Sequence, residues 1–331
     1  MVLTPRQTGE FIASKSKHVF YNEQKCQELS DVILNHFKNR PINSWYHQLH
    51  PDSSHPDAID WIFTLDLLNF SFWPASGQAK FNVDYQGKTH TGYFALCAVI
   101  MKGIEENRIT PQVTSIAKLG DSEIKELFTG NDNVEMPLLQ ERIDSIRNAA
   151  KVLEEKFNGT FRSCLDECSG SAVKLLDIIV SNFETFRDIG RYDDQEVSFY
   201  KRAQILVADI CLCFNCQSPG NLQDWDQLTA FADYRVPQVL AHFGVITYSD
   251  DLKDILMRKE EIPSQTPMEM EIRGLTIFAC EKLKDFVNER LTDGLHCNSV
   301  NIDNFLWDYR REVAEDIEKS IDMHRTRCIY Y

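Results

Sequence analysis

The sequence has no apolar run approaching the ~18 residues that a membrane-spanning helix needs, and its first eleven residues, Met1 to Phe11, lack the apolar stretch of a secretory signal. A soluble protein of the cytosol or nucleus is expected, with its cysteines kept as thiols. Glycine and proline are scarce, at 14 and 11 of 331 residues, which excludes a low-complexity or collagen-like chain. Positive charge is also short: 35 Lys and Arg stand against 50 Asp and Glu, a net charge of −15. That field repels polyphosphate and argues against sequence-independent binding to DNA or RNA as the main task, while a small anion in a local basic pocket stays compatible with it.

Common catalytic motifs are missing as well. There is no G-x-S-x-G elbow, no G-x-G-x-x-G turn and no H-E-x-x-H helix. Gly87-Lys88-Thr89 imitates the end of a phosphate-binding loop, but the glycine required five residues earlier is Asn82. The ten cysteines are spaced irregularly and sit mostly in apolar stretches, so no disulfide framework is legible. Cys211-x-Cys213-x-x-Cys216 lacks a fourth ligand nearby and reads as packing rather than a metal site.

What is present is an ordinary globular composition, 43% apolar, in a chain long enough for one or two domains. Without repeats or a Pro/Ser-rich linker, one compact unit over 1–331 is expected, with any seam near residue 110. Apolar residues at helical spacing predict helices over 7–20 and 22–38. The dense apolar run from Trp61 to Trp73 suits a buried strand, and Lys80–Tyr85 with Thr89–Tyr93 suits a hairpin around Gln86-Gly87. A sheet of about three strands would result. After Tyr93 everything reads as helix: 94–106, 121–129, 136–157, 171–180, 198–214, 235–243, 249–258, 269–290 and 302–320, each bounded by Gly, Pro, Asn or Asp. The expected class is mainly α with a small β-sheet or hairpin (α+β).

Three segments combine residues that packing alone would not select. Asn69-Phe70-Ser71-Phe72-Trp73-Pro74 sets an amide among aromatic rings, which can sandwich a planar heterocycle or simply fill the core. Ser198 to Gln204 places Lys201 and Arg202 at the start of a helix that continues apolar. Either they face the interior or they pair with acids such as Asp193 and Asp194. In Phe231-Ala232-Asp233-Tyr234-Arg235-Val236-Pro237, Asp233 precedes a helix with proline in its first turn. A helix cap explains it; so does a rigidly held carboxylate that stabilises positive charge on a sugar or orients water.

Together with Trp307-Asp308-Tyr309 and the stretch Arg327 to Tyr331, these segments resemble the queuosine salvage protein family of queuosine 5′-phosphate N-glycosylases, over nearly the whole chain. The resemblance implies hydrolysis of the N-glycosidic bond of queuosine 5′-monophosphate, giving ribose 5-phosphate and queuine for reinsertion into tRNA. It implies a mainly helical fold similar to helix-hairpin-helix DNA glycosylases, and no metal or cofactor. By position, Asp233 looks like the catalytic carboxylate. His47 and Asp308 fall around the base and its cyclopentenediol arm, with Phe231 against a face of the heterocycle and Asn69, Phe72 and Trp73 among the substrate-binding residues. His47 also suits a core position, and Asp308 also suits a surface pair with Arg311. For the phosphate, Lys201 and Arg235 are candidates, as are His324, Arg325 and Arg327; Lys201, the favoured one, could equally position Asp233. Queuine is a 7-deazaguanine without N7, so protonation there cannot assist its departure.

The implied partners are the nucleotide and queuine, with no nucleic-acid polymer and no membrane, and the protein is expected to be a monomer. Two readings compete with it: a nucleic-acid base glycosylase, and a non-catalytic helical module that binds queuine or a partner protein.

Overall fold

The computed structural model describes residues 1–40, 42, 45, 48–292 and 294–331. Most of the chain is helical. The N-terminal part holds α1 (Pro5–Ala13), α2 (Glu23–Asn39), α3 (Ala58–Leu67), α4 (Tyr93–Glu105), α5 (Val113–Ile116), α6 (Asp121–Leu127) and α7 (Leu139–Lys156). There follow α8 (Arg162–Glu167), α9 (Ala172–Asn182), α10 (Lys201–Cys213), α11 (Val236–His242), α12 (Asp250–Met257), α13 (Pro267–Asn288), α14 (Ser299–Glu312) and α15 (Ala314–Ser320). Among the described residues no helix is long and apolar enough to cross a membrane.

The β-structure is three separate antiparallel pairs rather than one three-stranded sheet. β1 (Val19–Tyr21) pairs with β6 (Ile246–Tyr248), β2 (Asn82–Tyr85) with β3 (Lys88–Thr91), and β4 (Ile189–Tyr192) with β5 (Gln195–Ser198). The β2–β3 hairpin lies where alternation and Gln86-Gly87 placed it, with Val83 opposite His90. The β4–β5 hairpin falls between the helices expected at 171–180 and 198–214, where the sequence predicts no strand, and turns on Asp193 and Asp194, both in the left-handed region that aspartate tolerates. Helix α1 begins on a Thr4 cap with Pro5 in its first turn and stops at Ala13, short of the expected residue 20, because Val19 to Tyr21 leaves to pair with β6.

The expected strand at Trp61–Trp73 is instead α3 followed by a loop. Every residue of α3 is buried. A helix covered on all sides shows no amphipathic stripe, so its apolar run cannot be told from a central strand by periodicity.

Two apolar cores organise the chain. The first gathers α3 to α10 around a stack of Phe63, Phe161, Phe183 and Phe186. The second joins α1 and α2 to α11, α13 and α14, so that the start of the chain packs against its last third. Helices α1 and α13 cross closely at two glycines: a Cβ on Gly274 would lie 2.7 Å from Ile12 Cβ, and one on Gly9 would lie 3.0 Å from Ile277 Cγ2.

Candidate active site

A cavity of about 1050 Å³ takes its walls from both cores. One wall is a stripe of α10, where Lys201, Ile205, Asp209 and Leu212 follow each other at helical spacing. The loop after α3 supplies Asn69, Phe72 and Trp73, and α14 supplies Asn304, Trp307, Asp308 and Arg311. The extended segment before α11 supplies Phe231, Asp233, Tyr234 and Arg235.

That segment is pinned at nearly every polar group. The Thr229 N–H donates to Gln204 Oε1 (2.8 Å) and the Phe231 N–H to Asp303 Oδ1 (2.8 Å). The Ala232 carbonyl accepts from Arg273 Nε (3.1 Å). Asp233 Oδ1 accepts from the N–H groups of Arg235 (2.7 Å) and Val236 (2.9 Å), so the capping role and a position on the cavity wall coexist. Asp233 Oδ2 accepts no hydrogen bond among the described residues. Behind the segment, buried Arg273 pairs with Asp188 (2.5 Å) and Glu269 (3.4 Å) and lies over the rings of Phe199 and Tyr331. Asp188 in turn accepts from the backbone N–H of Lys201 (3.4 Å). One buried ion network therefore fixes both Lys201 and the residue before Asp233.

Neither cation at the start of α10 pairs with Asp193 or Asp194, which bond instead to Lys15 and Arg191. Arg202 turns inward onto the carbonyls of Leu67 and Thr185, and with Arg142 it sandwiches the Phe70 ring, at 4.9 and 4.2 Å. Lys201 is 5% exposed and its ammonium has no hydrogen-bond partner among the described residues. Burial lowers its pKa, against the pull of the Asp233 and Asp66 carboxylates. Two further carboxyl groups, Asp209 and Asp303, join them. Burial raises Asp66, relieved by Asn69, Lys201 and Arg202. Burial and Asp66 raise Asp209 far above the usual carboxylate range, and burial and Asp233 do the same to Asp303.

A second charged group also borders the cavity. Arg235 and Arg310 converge on Glu318, Arg235 at 3.7 Å, and Arg235 also donates to Gln238 Oε1 (3.2 Å). Lys80, at the rim, feels both: burial lowers its pKa first, then Arg235 and Arg310, with Glu318 opposing. Three cations against one carboxylate leave an excess of positive charge facing the cavity.

Of the residues expected at a site, Asn69, Phe72, Trp73, Lys201, Phe231, Asp233, Arg235 and Asp308 all border this cavity. His47 lies outside the described residues. Asp308 does both things considered for it, lining the cavity and standing 3.9 Å from Arg311, whose guanidinium covers Phe94 and Trp307. His324, Arg325 and Arg327 have structural partners instead: His324 meets the Tyr331 hydroxyl (3.2 Å), Arg325 stands 3.6 Å from Asp322, and Arg327 bonds Glu261 (3.1 Å) and covers Trp73 at 4.0 Å. Sequence reasoning missed Asp66, Asp209, Asp303, Lys80 and Arg310. The available signal was aspartate inside otherwise buried helices, a residue seldom buried without a partner or a task.

Residues 49–331 match the profile of a family described as queuosine salvage protein. A *Bos taurus* protein named queuosine 5′-phosphate N-glycosylase/hydrolase is 36% identical, with all of this chain and 99% of that protein covered. A protein of the same name from *Nematostella vectensis* is 38% identical at the same coverage, and one from *Sphaerobacter thermophilus* is 36% identical over 87% of this chain and 86% of its own.

Proposed function

The chain belongs to the queuosine salvage protein family, and from that premise we infer that it is a hydrolase cleaving the N-glycosidic bond of queuosine 5′-phosphate to release queuine. The observation that carries the assignment to this site is that Asp233, held by two backbone N–H groups, shares one cavity with the unpartnered ammonium of Lys201. The cavity's charge order matches the substrate. The cationic end formed by Lys80, Arg235 and Arg310 takes the 5′-phosphate, Asp233 stands at the ribose, and the base lies towards Phe231 and the carboxyl cluster.

In this arrangement Asp233 stabilises the positive charge that develops on the ribose ring as the bond to the base breaks, and directs water to the anomeric carbon. Because Oδ1 is fixed by the cap, little reorganisation is needed as that charge appears. Lys201, nearer to Asp233 and the buried carboxyl groups than to the cationic end, orients Asp233 rather than holding phosphate. Phe231, Phe72 and Trp73 enclose the heterocycle, Asn69 reads its edge, and Asp308 and His47 take its cyclopentenediol arm. The helical body and a carboxylate at a helix start beside the pocket support kinship with helix-hairpin-helix glycosylases. The ten thiols suit the cytosol or nucleus.

The test is incubation of purified protein with queuosine 5′-monophosphate in EDTA, following free queuine by mass spectrometry beside Asp233→Asn. Asparagine keeps the Oδ1 acceptor and hence the cap, so the variant folds and turnover falls by about 10³-fold or more. A fully active variant removes Asp233 from the mechanism. Ligand binding without cleavage by the wild type favours a carrier.

A further inference from the structure

Asp209 lies two turns beyond Lys201 on the face of α10 that borders the cavity. Among the described residues its carboxyl makes no hydrogen bond or ion pair. The groups around it come from four elements: Asp66 at the end of α3, Tyr93 and Cys97 on α4, Lys201 and Cys213 on α10 itself, and Asp303 on α14. Two observations set this cluster apart from an ordinary acidic patch. Asp66 is fully buried and its Oδ2 has no partner, and Lys201, 95% buried on the same cavity wall, has none for its ammonium. Asp66, Asp209, Asp233 and Asp303 are four carboxyl groups beside two cations, Lys201 and, next to Asp66, Arg202. Like charges crowded in a buried site cannot all ionise, so the cluster retains protons at neutral pH. Asp209 and Asp303 both border the cavity, but Asp303 is buried and its Oδ1 is taken by the Phe231 N–H, whereas Asp209 is only half-buried and its carboxyl makes no hydrogen bond among the described residues.

We propose that Asp209 is the general acid of the reaction, delivering its carboxyl proton to the base as the glycosidic bond breaks. This rests on the hydrolase reading given above. The chemistry asks for such a group. A departing guanine can be protonated at N7, but a 7-deazaguanine carries carbon there, so the electron pair left on the base must be met at another acceptor on its edge. The step balances without a co-reactant. The bond between the anomeric carbon and the ring nitrogen breaks with both electrons going to the base, which takes the proton of Asp209. Water adds to the anomeric carbon, its proton leaves by way of Asp233 to solvent, and Asp209 is reprotonated from solvent before the next cycle. Asp66 acts through Asp209: a second carboxyl, inaccessible to solvent, its charge keeps the Asp209 carboxyl protonated, and it is a positioning residue.

The test compares two substrates in the full-length protein: queuosine 5′-monophosphate, and p-nitrophenyl β-D-ribofuranoside 5-phosphate, whose nitrophenolate leaves without a proton. Asp209→Asn is expected to lose about 10²- to 10⁴-fold in kcat on the first and less than about tenfold on the second. The wild-type kcat on queuosine 5′-monophosphate falls at alkaline pH, and that limb is absent in the variant. Asp233→Asn, by contrast, loses on both substrates. Asp66→Asn provides an independent reading should Asp209→Asn not fold: it moves the alkaline limb to lower pH and leaves the acidic plateau of kcat in place. Equal loss on both substrates, a higher KM at unchanged kcat, or an alkaline limb that neither variant alters overturns the proposal. No turnover of either substrate by the wild type overturns the hydrolase reading, and this step with it.

Discussion

On the proposed reading Asp233 has two tasks, the helix cap and catalysis, that substitution can separate. Asparagine retains the acceptor for the N–H groups of Arg235 and Val236, whereas alanine removes it, at about 1 kcal/mol for a lost cap. Thermal melting should therefore place Asp233→Asn close to wild type and Asp233→Ala below it, while both lose turnover. Arg273 is the more dangerous position. Removing its guanidinium in Arg273→Met strands Asp188 and Glu269 at 5% and 1% side-chain exposure, with an expected cost of about 3–5 kcal/mol in denaturant titration. At the cationic end, Lys80→Met should raise KM for the 5′-phosphate several-fold and leave the corresponding nucleoside unaffected; equal effects on both would move the phosphate elsewhere. His324 gives a pH signature. Burial, then Arg273 and Arg325, hold its imidazole neutral down to about 3. An unfolded histidine takes up its proton near pH 6.5, so below that the unfolded chain binds more protons and stability is lost until about pH 3. His324→Gln should flatten that acid limb in melting curves between pH 6.5 and 4. Single residues were unevenly legible in the sequence. Asp233 was singled out as a cap-like position beside aromatic and basic neighbours, and its catalytic role came from the family resemblance, not from those neighbours. Asp66 and Asp209 were passed over because one aspartate in an apolar run says nothing of the other carboxyl groups that folding brings next to it.

At the scale of elements, α10 is a largely buried helix that divides its polar residues: Lys201 and Asp209 fall on the stripe that meets the cavity, while Arg202 and Gln204 bond inward to Leu67, Thr185, Phe199 and Thr229. Long amphipathic helices such as α2 and α7 were readable because one face stays in water. Helix α3 was not, since burial on every side erases the periodicity that separates helix from strand. The β4–β5 hairpin escaped notice because its turn is made by Asp193 and Asp194 rather than by glycine or asparagine. The crossing of α1 and α13 supplies a prediction of its own. In Gly274→Ala the new methyl meets Ile12 Cβ, Cγ2 and Cδ1 at 2.7 to 2.8 Å, and a Cβ cannot move without its backbone. Overpacking of about 1–3 kcal/mol should outweigh the gain in helix propensity, lowering the melting temperature while activity per folded molecule persists.

For the molecule as a whole, the proposed phosphate site sets a local cationic cluster within a −15 charge, a field that turns polyanions away. Tight, strongly salt-dependent binding to duplex DNA or tRNA would restore the nucleic-acid glycosylase reading; only weak binding is expected. The arrangement of the two cores also bears on how the protein is made. The first core is drawn mostly from one uninterrupted stretch of chain, but the second waits for α13 to reach α1 and α2, across everything between Asn39 and Pro267. During translation the first two helices therefore leave the ribosome with their apolar faces uncovered and stay so while most of the protein is synthesised, a natural place for a chaperone to hold. Because the cavity takes walls from both cores, a nascent chain carries no assembled site until its late helices have emerged.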